Sequence, residues 1–211
     1  MNHPKRRFIA WLGGVLACVV LVGAGIAYIV IGVNGHNEVN NTVSREQIVG
    51  TPDMTPTAIR ESVAEAGLEN VPDIPTCTVA DQPITNGDKA KCFASYMRIH
   101  ALEASGGLTY AQLGRYLDKA GKPTDDATKA AVNPATGRPV DNPVRNTWVT
   151  ETALATGLNV SYFAQQVALF AIVMGACLLL IGIGLGVLTV FAFGLMPWRT
   201  AEAASGEPPV T

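Results

Sequence analysis

The chain has 211 residues, a formal net charge of −2 and only 15% charged residues, whereas soluble domains usually carry about 25%. No basic patch interleaved with aromatic residues accompanies this near-neutral charge, so nucleic acid is excluded as a partner. The hydrophobic fraction of 48% is concentrated in two blocks, a distribution that indicates a membrane protein.

The two blocks run from Phe8 to Val33 and from Ala164 to Met196, and neither contains Asp, Glu, Lys or Arg. Because a helix rises 1.5 Å per residue, about 20 apolar residues cross a hydrocarbon core about 30 Å thick. We therefore predict transmembrane helices over residues 8–33 and 164–196. The first apolar run continues well past the length of a signal-peptide core, so we interpret it as an uncleaved signal anchor.

Basic residues flank both predicted spans: Lys5, Arg6 and Arg7 precede the first, and Arg199 follows the second. The positive-inside rule then places both termini in the cytoplasm and the segment between the spans outside it. The expected organisation is a cytoplasmic tail (1–7), an extracytoplasmic helical domain (34–163) and a disordered cytoplasmic tail (197–211), in contact with the lipid bilayer of the plasma membrane.

The four cysteines divide between membrane and outer domain. Cys18 and Cys177 fall inside the predicted spans, which leaves Cys77 and Cys92 as the pair outside. Thiols outside the cytoplasm tend to oxidise, so we predict a structural Cys77–Cys92 disulfide. Closing a loop of about 15 residues is worth about 3 kcal/mol in the chain-entropy model. A redox pair usually has Cys-x-x-Cys spacing, and a metal site needs more ligands.

Small residues recur at helical spacing in both spans and are the predicted helix-packing positions. In lipid, helices associate through close backbone approach at such residues. Two interpretations remain open: the spans pack on each other, or Gly182-x-x-x-Gly186 joins two chains. The positions are Gly14, Cys18 and Gly25 in the first span and Gly175, Gly182 and Gly186 in the second.

The outer domain is predicted to be all-α, because sustained strand-like alternation is lacking. Thr55 and Pro56 provide the cap and first position of a helix that Gly67 stops. A longer helix begins at Asn86 and ends at Gly106. Its predicted buried face consists of Phe93, Tyr96, Met97, His100, Ala101 and Ala104.

Three more helices are expected towards the second span. Thr109-x-x-Gln112 has the form of a capping box, which predicts a helix that stops at Gly121. A weaker helix is predicted from Thr124 through Val132. A last helix, capped by Asn142, is expected to carry Trp148 and to run on towards the second span.

His100 and Glu103 are the candidate metal ligands, because their i, i+3 spacing presents two ligands to one ion. The chain has only three histidines, and the sequence identifies no third ligand. His100 also falls in an apolar face, which is typical of a hydrogen-bonded core histidine. Nucleophile-elbow, Walker and dinucleotide motifs are missing, so we predict no catalytic residues, no metal and no cofactor.

Four segments resemble a family of two-span membrane proteins from actinobacteria, the high-GC Gram-positive bacteria. The resemblance covers most of the chain from the first span onward. It implies a plasma-membrane location and the same span–domain–span layout, and it implies no activity. The segments are Ser44 to Gly50 with Asp53-Met54-Thr55-Pro56, Cys92 to Glu103, Gly106 to Tyr110, and Asn146 to Leu154.

Two functional hypotheses follow. The first is a non-enzymatic plasma-membrane protein whose outer helical domain binds a membrane or extracytoplasmic protein, or a second copy of the chain, in an accessory or scaffolding role. An outward-facing apolar or aromatic cluster would favour it. The alternative is a membrane-anchored hydrolase or metal-dependent enzyme centred on His100 and Glu103, which requires both side chains to converge with a carboxylate in an open pocket.

Overall fold

The computed structural model describes residues 3–68, 71 and 74–194. The predicted tail 197–211, the end of the second predicted span and the first two residues lie outside these ranges. The described chain is mostly helical and divides into two compact units, a helical pair within residues 3–36 and 167–194 and a globular unit within residues 37–166. The elements are α1 (His3–Arg45), α2 (Pro56–Glu65), α3 (Gly87–Ala104), β1 (Tyr116–Leu117), β2 (Pro123–Thr124) and α4 (Val144–Phe193).

Two helices, α1 and α4, are long and apolar enough to span a membrane. Only 6% of the most apolar stretch of α1 and 17% of that of α4 is buried, whereas a core helix of a soluble protein would be mostly buried. Large apolar side chains such as Phe170 and Leu180 point outward. The predicted last outer helix and the predicted second span are one unbroken helix, α4.

The helical pair is held at a seam of small residues. A β-carbon added at Gly25 would lie 2.8 Å from the carbonyl oxygen of Gly175, and one added at Gly175 would lie 2.6 Å from the carbonyl oxygen of Gly25. The backbones therefore touch at this point, which only glycine permits. Side chains larger than hydrogen at either position would force the two helices apart.

The same seam contains the Gly-x-x-x-Gly motif. β-Carbons added at Gly182 and Gly186 would lie 2.9 Å from Val22 Cγ2 and from Cys18 Sγ, respectively. Of the two interpretations that the sequence left open, the geometry of this single chain corresponds to packing of the spans on each other. The buried α4 positions Ala168, Gly175, Gly182 and Thr189 recur every seven residues, the spacing of left-handed helix pairs.

In the globular unit, α2 begins and ends where the sequence predicts. The Thr55 hydroxyl accepts a 3.2 Å hydrogen bond from the Ala58 amide, with Pro56 at the first position. At the other end Gly67 has φ +67°, and the Leu68 amide donates to the Val63 carbonyl at 3.1 Å. Leu68 is thereby folded back onto the helix, as in a Schellman motif.

Helix α3 runs through the main core. Asn86 caps it by accepting a 2.9 Å hydrogen bond from the Lys89 amide. Tyr96 and Ala101 of the predicted face are buried, but Ala104 is exposed and the buried side extends instead to Ile99 and Leu102. The buried residues of this core are Val43, Met54, Ile59, Val63, Val79, Ile84, Ala90, Cys92, Ala94, Tyr96, Ile99 and Leu158.

The all-α prediction is wrong between α3 and α4. The Thr109 amide does donate to Gln112 Oε1 at 2.9 Å, but the chain leaves the helical path after one turn. Leu113 is buried with Trp148 in a second core cluster. At Gly114 an added β-carbon would lie 2.5 Å from the Thr124 amide nitrogen. The backbone at Gly114 therefore lies directly against the backbone at Thr124. Tertiary packing overrides the local capping signal here.

The segment that follows forms a small antiparallel pair rather than the two predicted helices. Tyr116 is opposite Thr124, and Leu117 is opposite Pro123. Residues 124–132, predicted as a weak helix, form turns and isolated bridges. Asn142 ends this segment as predicted: its Oδ1 accepts from the Val144 amide at 3.1 Å, while its Nδ2 donates to the Gly114 carbonyl at 3.0 Å.

Candidate functional site

The two cysteines of the globular unit form the predicted Cys77–Cys92 disulfide. Cys92 is on α3 and buried in the core, while Cys77 precedes α3 in the chain. The Tyr96 hydroxyl donates a 2.7 Å hydrogen bond to the Cys77 carbonyl. Burial raises the pKa of the Tyr96 hydroxyl. The Cys77–Cys92 disulfide therefore attaches the segment that precedes α3 to that helix and has a structural role.

His100 and Glu103 do not converge on one point. His100 Nε2 lies 2.9 Å from Asp53 Oδ2, whereas Glu103 accepts a hydrogen bond from the Ser62 hydroxyl. Within the described ranges, no group of three potential metal ligands occurs. The i, i+3 spacing therefore places the two side chains against different neighbours, Asp53 in the loop before α2 and Ser62 on α2.

His100 is a half-buried residue at the edge of a groove rather than a core histidine. Its side chain is 30% exposed, and that of Asp53 is 45% exposed. The Thr51 hydroxyl donates to Asp53 Oδ1. This hydrogen bond, together with the charge of His100, lowers the pKa of the Asp53 carboxyl. The result is a Thr51–Asp53–His100 chain of polar contacts that ends at the groove.

The groove lies between the second half of α3 and the first turns of α4, and we call it the α3/α4 groove. Its volume is about 650 Å³. Met97, Ala101 and Ala104 supply an apolar wall from α3. The opposite wall is polar and is formed by Asn146, Thr147, Thr150 and Glu151 of α4.

Glu151 is the residue that sequence reasoning missed. It is only 5% exposed, and its hydrogen-bond partner is the Thr152 hydroxyl, 3.2 Å from Oε2. It lines both the α3/α4 groove and a smaller cavity of about 220 Å³ beside Arg98. Glu151 follows the buried Trp148 by three residues, and i, i+3 residues share a helix face. This spacing was the signal in the sequence that could have indicated the burial of Glu151.

No ion pair to Glu151 forms within the described part of the chain. The arginines on the two helices are engaged elsewhere. The Arg98 guanidinium carbon lies 5.4 Å from the Trp148 ring centroid, and that of Arg145 lies 4.0 Å from the Tyr110 ring centroid. Both contacts fall within cation–π range, so Glu151 is left without a counter-ion.

A second surface feature of the globular unit is an apolar stripe on α4, which we call the α4 stripe. It consists of Val149, Ala153, Val160 and Phe163, all exposed. Val149, Val160 and Phe163 are 55%, 60% and 68% exposed. At 3.6 residues per turn these positions fall on one side of the helix, with the exposed Thr156 between Ala153 and Val160.

Comparison with protein-family models finds no match, and comparison with curated proteins and with solved structures finds none either.

Proposed function

We propose that this chain is a two-span plasma-membrane protein with both termini in the cytoplasm and residues 34–163 outside. The two long apolar helices, with outward-facing apolar side chains and small residues at their seam, support the spans. The basic residues beside both spans support the orientation. The family resemblance to actinobacterial two-span proteins supports the same layout.

Topology is tested by attaching a membrane-impermeant maleimide to single cysteines in intact cells. In a background in which all native cysteines are Ala, Ala127→Cys should be labelled from outside and Ala203→Cys only after permeabilisation. Labelling of Ala203→Cys in intact cells would contradict the proposed orientation. Ala127 is exposed in the globular unit, so poor accessibility of the side chain does not explain a negative result.

We further propose that the globular unit binds a protein partner and has a non-enzymatic, accessory or scaffolding role. The observation that carries this proposal is the α4 stripe. Several large apolar side chains exposed on one side of a helix are typical of interaction sites. Val149 is about 22 Å along the helix axis from the start of the predicted second span at Ala164, which separates this end of the stripe from the bilayer.

The experiment is photocrosslinking in living cells of the source organism, followed by purification in mild detergent and mass spectrometry. A benzoylphenylalanine at Val149 should capture one protein reproducibly, and the same probe at Ala127, an exposed position off the stripe, should not. Val149→Lys should then abolish co-purification of that protein, and Ala127→Lys should leave it intact. Equal capture from both positions would overturn the proposal.

The second candidate is a hydrolase centred on His100, and the Asp53–His100 contact at an open groove favours it. An aspartate that orients a histidine is the arrangement used in general base catalysis. This candidate now relies on Asp53, since Glu103 points elsewhere. The hydrolase candidate predicts that the purified parent protein turns over chromogenic esters or amides and that His100→Gln does not. Equal rates for the parent and His100→Gln would exclude this candidate.

A further inference from the structure

Glu151 is a buried carboxylate at a groove, and it forms no ion pair within the described part of the chain. Taking a carboxylate out of water is unfavourable unless an opposite charge or hydrogen bonds compensate. The Thr152 hydroxyl supplies one such bond. Further compensation comes from water or from a ligand in the α3/α4 groove.

The groove walls restrict the shape and chemistry of an occupant. Met97 and Ala101 offer apolar contact along one side, and Thr147 offers a hydroxyl on the other. Arg98, the basic residue of the adjoining cavity, is stacked on Trp148 instead of paired with Glu151. A cationic head on an apolar stem satisfies both the carboxylate and the apolar wall.

We propose that the α3/α4 groove binds an alkyl cation, a guanidinium or ammonium group on a short apolar stem, with Glu151 as its counter-ion. Such a group is presented by an arginine or lysine side chain of another polypeptide and also by a free small amine. The site is distinct from the α4 stripe, because residues two apart, such as Val149 and Glu151, do not share a helix face. The proposal therefore does not depend on that surface.

The experiment uses the full-length protein in zwitterionic phosphatidylcholine nanodiscs at pH 7.5, with ¹³C-labelled methionine methyl groups. The chain has five methionines, and Met97→Leu assigns the resonance of Met97. Butylguanidinium should shift this resonance saturably. Butylurea, which has nearly the same shape without the charge, should not shift it at the same concentrations.

Two variants locate the binding site. Glu151→Gln should weaken butylguanidinium binding at least tenfold, while Glu65→Gln, which removes an exposed carboxylate of α2, should leave binding unchanged. Ala104→Phe should also weaken binding, because it fills the groove from the opposite wall and keeps Glu151 in place. Since Ala104 is exposed, this variant is expected to fold.

Equal shifts with butylurea, unchanged affinity in Glu151→Gln, or no saturable shift would overturn the proposal. Two further ligands distinguish a polypeptide side chain from a free small amine as the source of the cation: Gly-Arg-Gly with blocked termini, and cadaverine. Binding of the peptide at least as tight as that of butylguanidinium identifies a polypeptide side chain as the source. Binding confined to the free cations identifies a small amine, and both results support the carboxylate site.

Discussion

Tyr96 and Cys77 are joined by a 2.7 Å hydrogen bond from the tyrosine hydroxyl to the cysteine carbonyl. Cys77 is also disulfide-bonded to Cys92, which lies one helical turn before Tyr96 on α3. Two successive turns of α3 therefore hold the same point of the preceding segment, one through a covalent bond and the other through a buried hydroxyl. The globular unit should be sensitive to changes at either contact.

Tyr96→Phe should lower the free energy of unfolding of the globular unit by about 1 kcal/mol, because the Cys77 carbonyl loses its donor in a part-buried hydrogen bond. Denaturant unfolding followed by near-ultraviolet circular dichroism measures the change. Tyr110→Phe is the matched control, since Tyr110 is exposed and its ring contact with Arg145 remains. A Tyr96→Phe protein as stable as its parent would contradict the assigned bond.

Replacing both Cys77 and Cys92 with Ala should cost about 3 kcal/mol, because the unfolded chain regains the freedom of a loop of about 15 residues. Thermal unfolding of the parent and of the double variant measures this cost. Adding reductant to the parent should produce the same loss of stability. The control carries Cys18→Ala and Cys177→Ala, the free cysteines, and should respond to reductant as the parent does. Insensitivity of the parent to complete reduction would rule out a stabilising disulfide.

Gly186→Cys should form a disulfide with the native Cys18 within one chain, because a β-carbon at position 186 lies 2.9 Å from Cys18 Sγ. Oxidation is carried out in membranes in a Cys177→Ala background, with a protease site inserted after Gly137. After cleavage, the two fragments should stay linked on a non-reducing gel.

Gly184→Cys is the control for this cross-link, since nothing lies within 4 Å of a β-carbon at position 184. A disulfide-linked dimer of full-length Gly186→Cys chains, with fragments that separate after cleavage, would contradict packing within one chain. That result would indicate instead that Gly182 and Gly186 form a contact between two chains.

Acid should destabilise the globular unit in part through Asp53. The pKa of this carboxyl is lowered in the folded protein, first by the hydrogen bond from Thr51. The folded state therefore favours the charged form, and its contribution is present above pH 3.8 and lost as pH falls below it. Because the side chain is 45% exposed, we expect only a few tenths of a kcal/mol.

The measurement compares unfolding free energies at pH 7 and pH 3 for the parent protein and Asp53→Asn. The variant should lose less stability on acidification than the parent. Glu65→Gln, which changes an exposed carboxylate outside this polar chain, should show the pH dependence of the parent. A steeper acid loss in Asp53→Asn than in the parent would have the wrong sign for a lowered pKa.

Signals in the amino-acid sequence were sufficient to predict the long apolar helices, the ends of α2, the start of α3 and the disulfide partners. Each of these features depends on local or compositional signals. Thr55 with Pro56 and Gly67 act within one turn of the chain, and the disulfide follows from which two cysteines lie outside the apolar blocks. Heptad-spaced small residues similarly predict a close helix seam, though not which partner it faces.

Packing between residues distant in the chain sets the path between α3 and α4 and the composition of the groove. Thr109 and Gln112 make their capping contact, but burying Leu113 against Trp148 and pairing Tyr116 with Thr124 outweigh the propensity to continue a helix. Propensities are worth tenths of a kcal/mol per residue, whereas burying a large apolar side chain is worth about 2 kcal/mol.

The contacts of the charged side chains likewise could not be predicted from the sequence. His100 and Glu103 share a helix face, yet one meets Asp53 and the other Ser62. Glu151 looks like an ordinary charge on an amphipathic helix, and only the packing of α3 against α4 buries it. Spacing along a helix determines which side chains point the same way, but the neighbouring elements determine what those side chains meet.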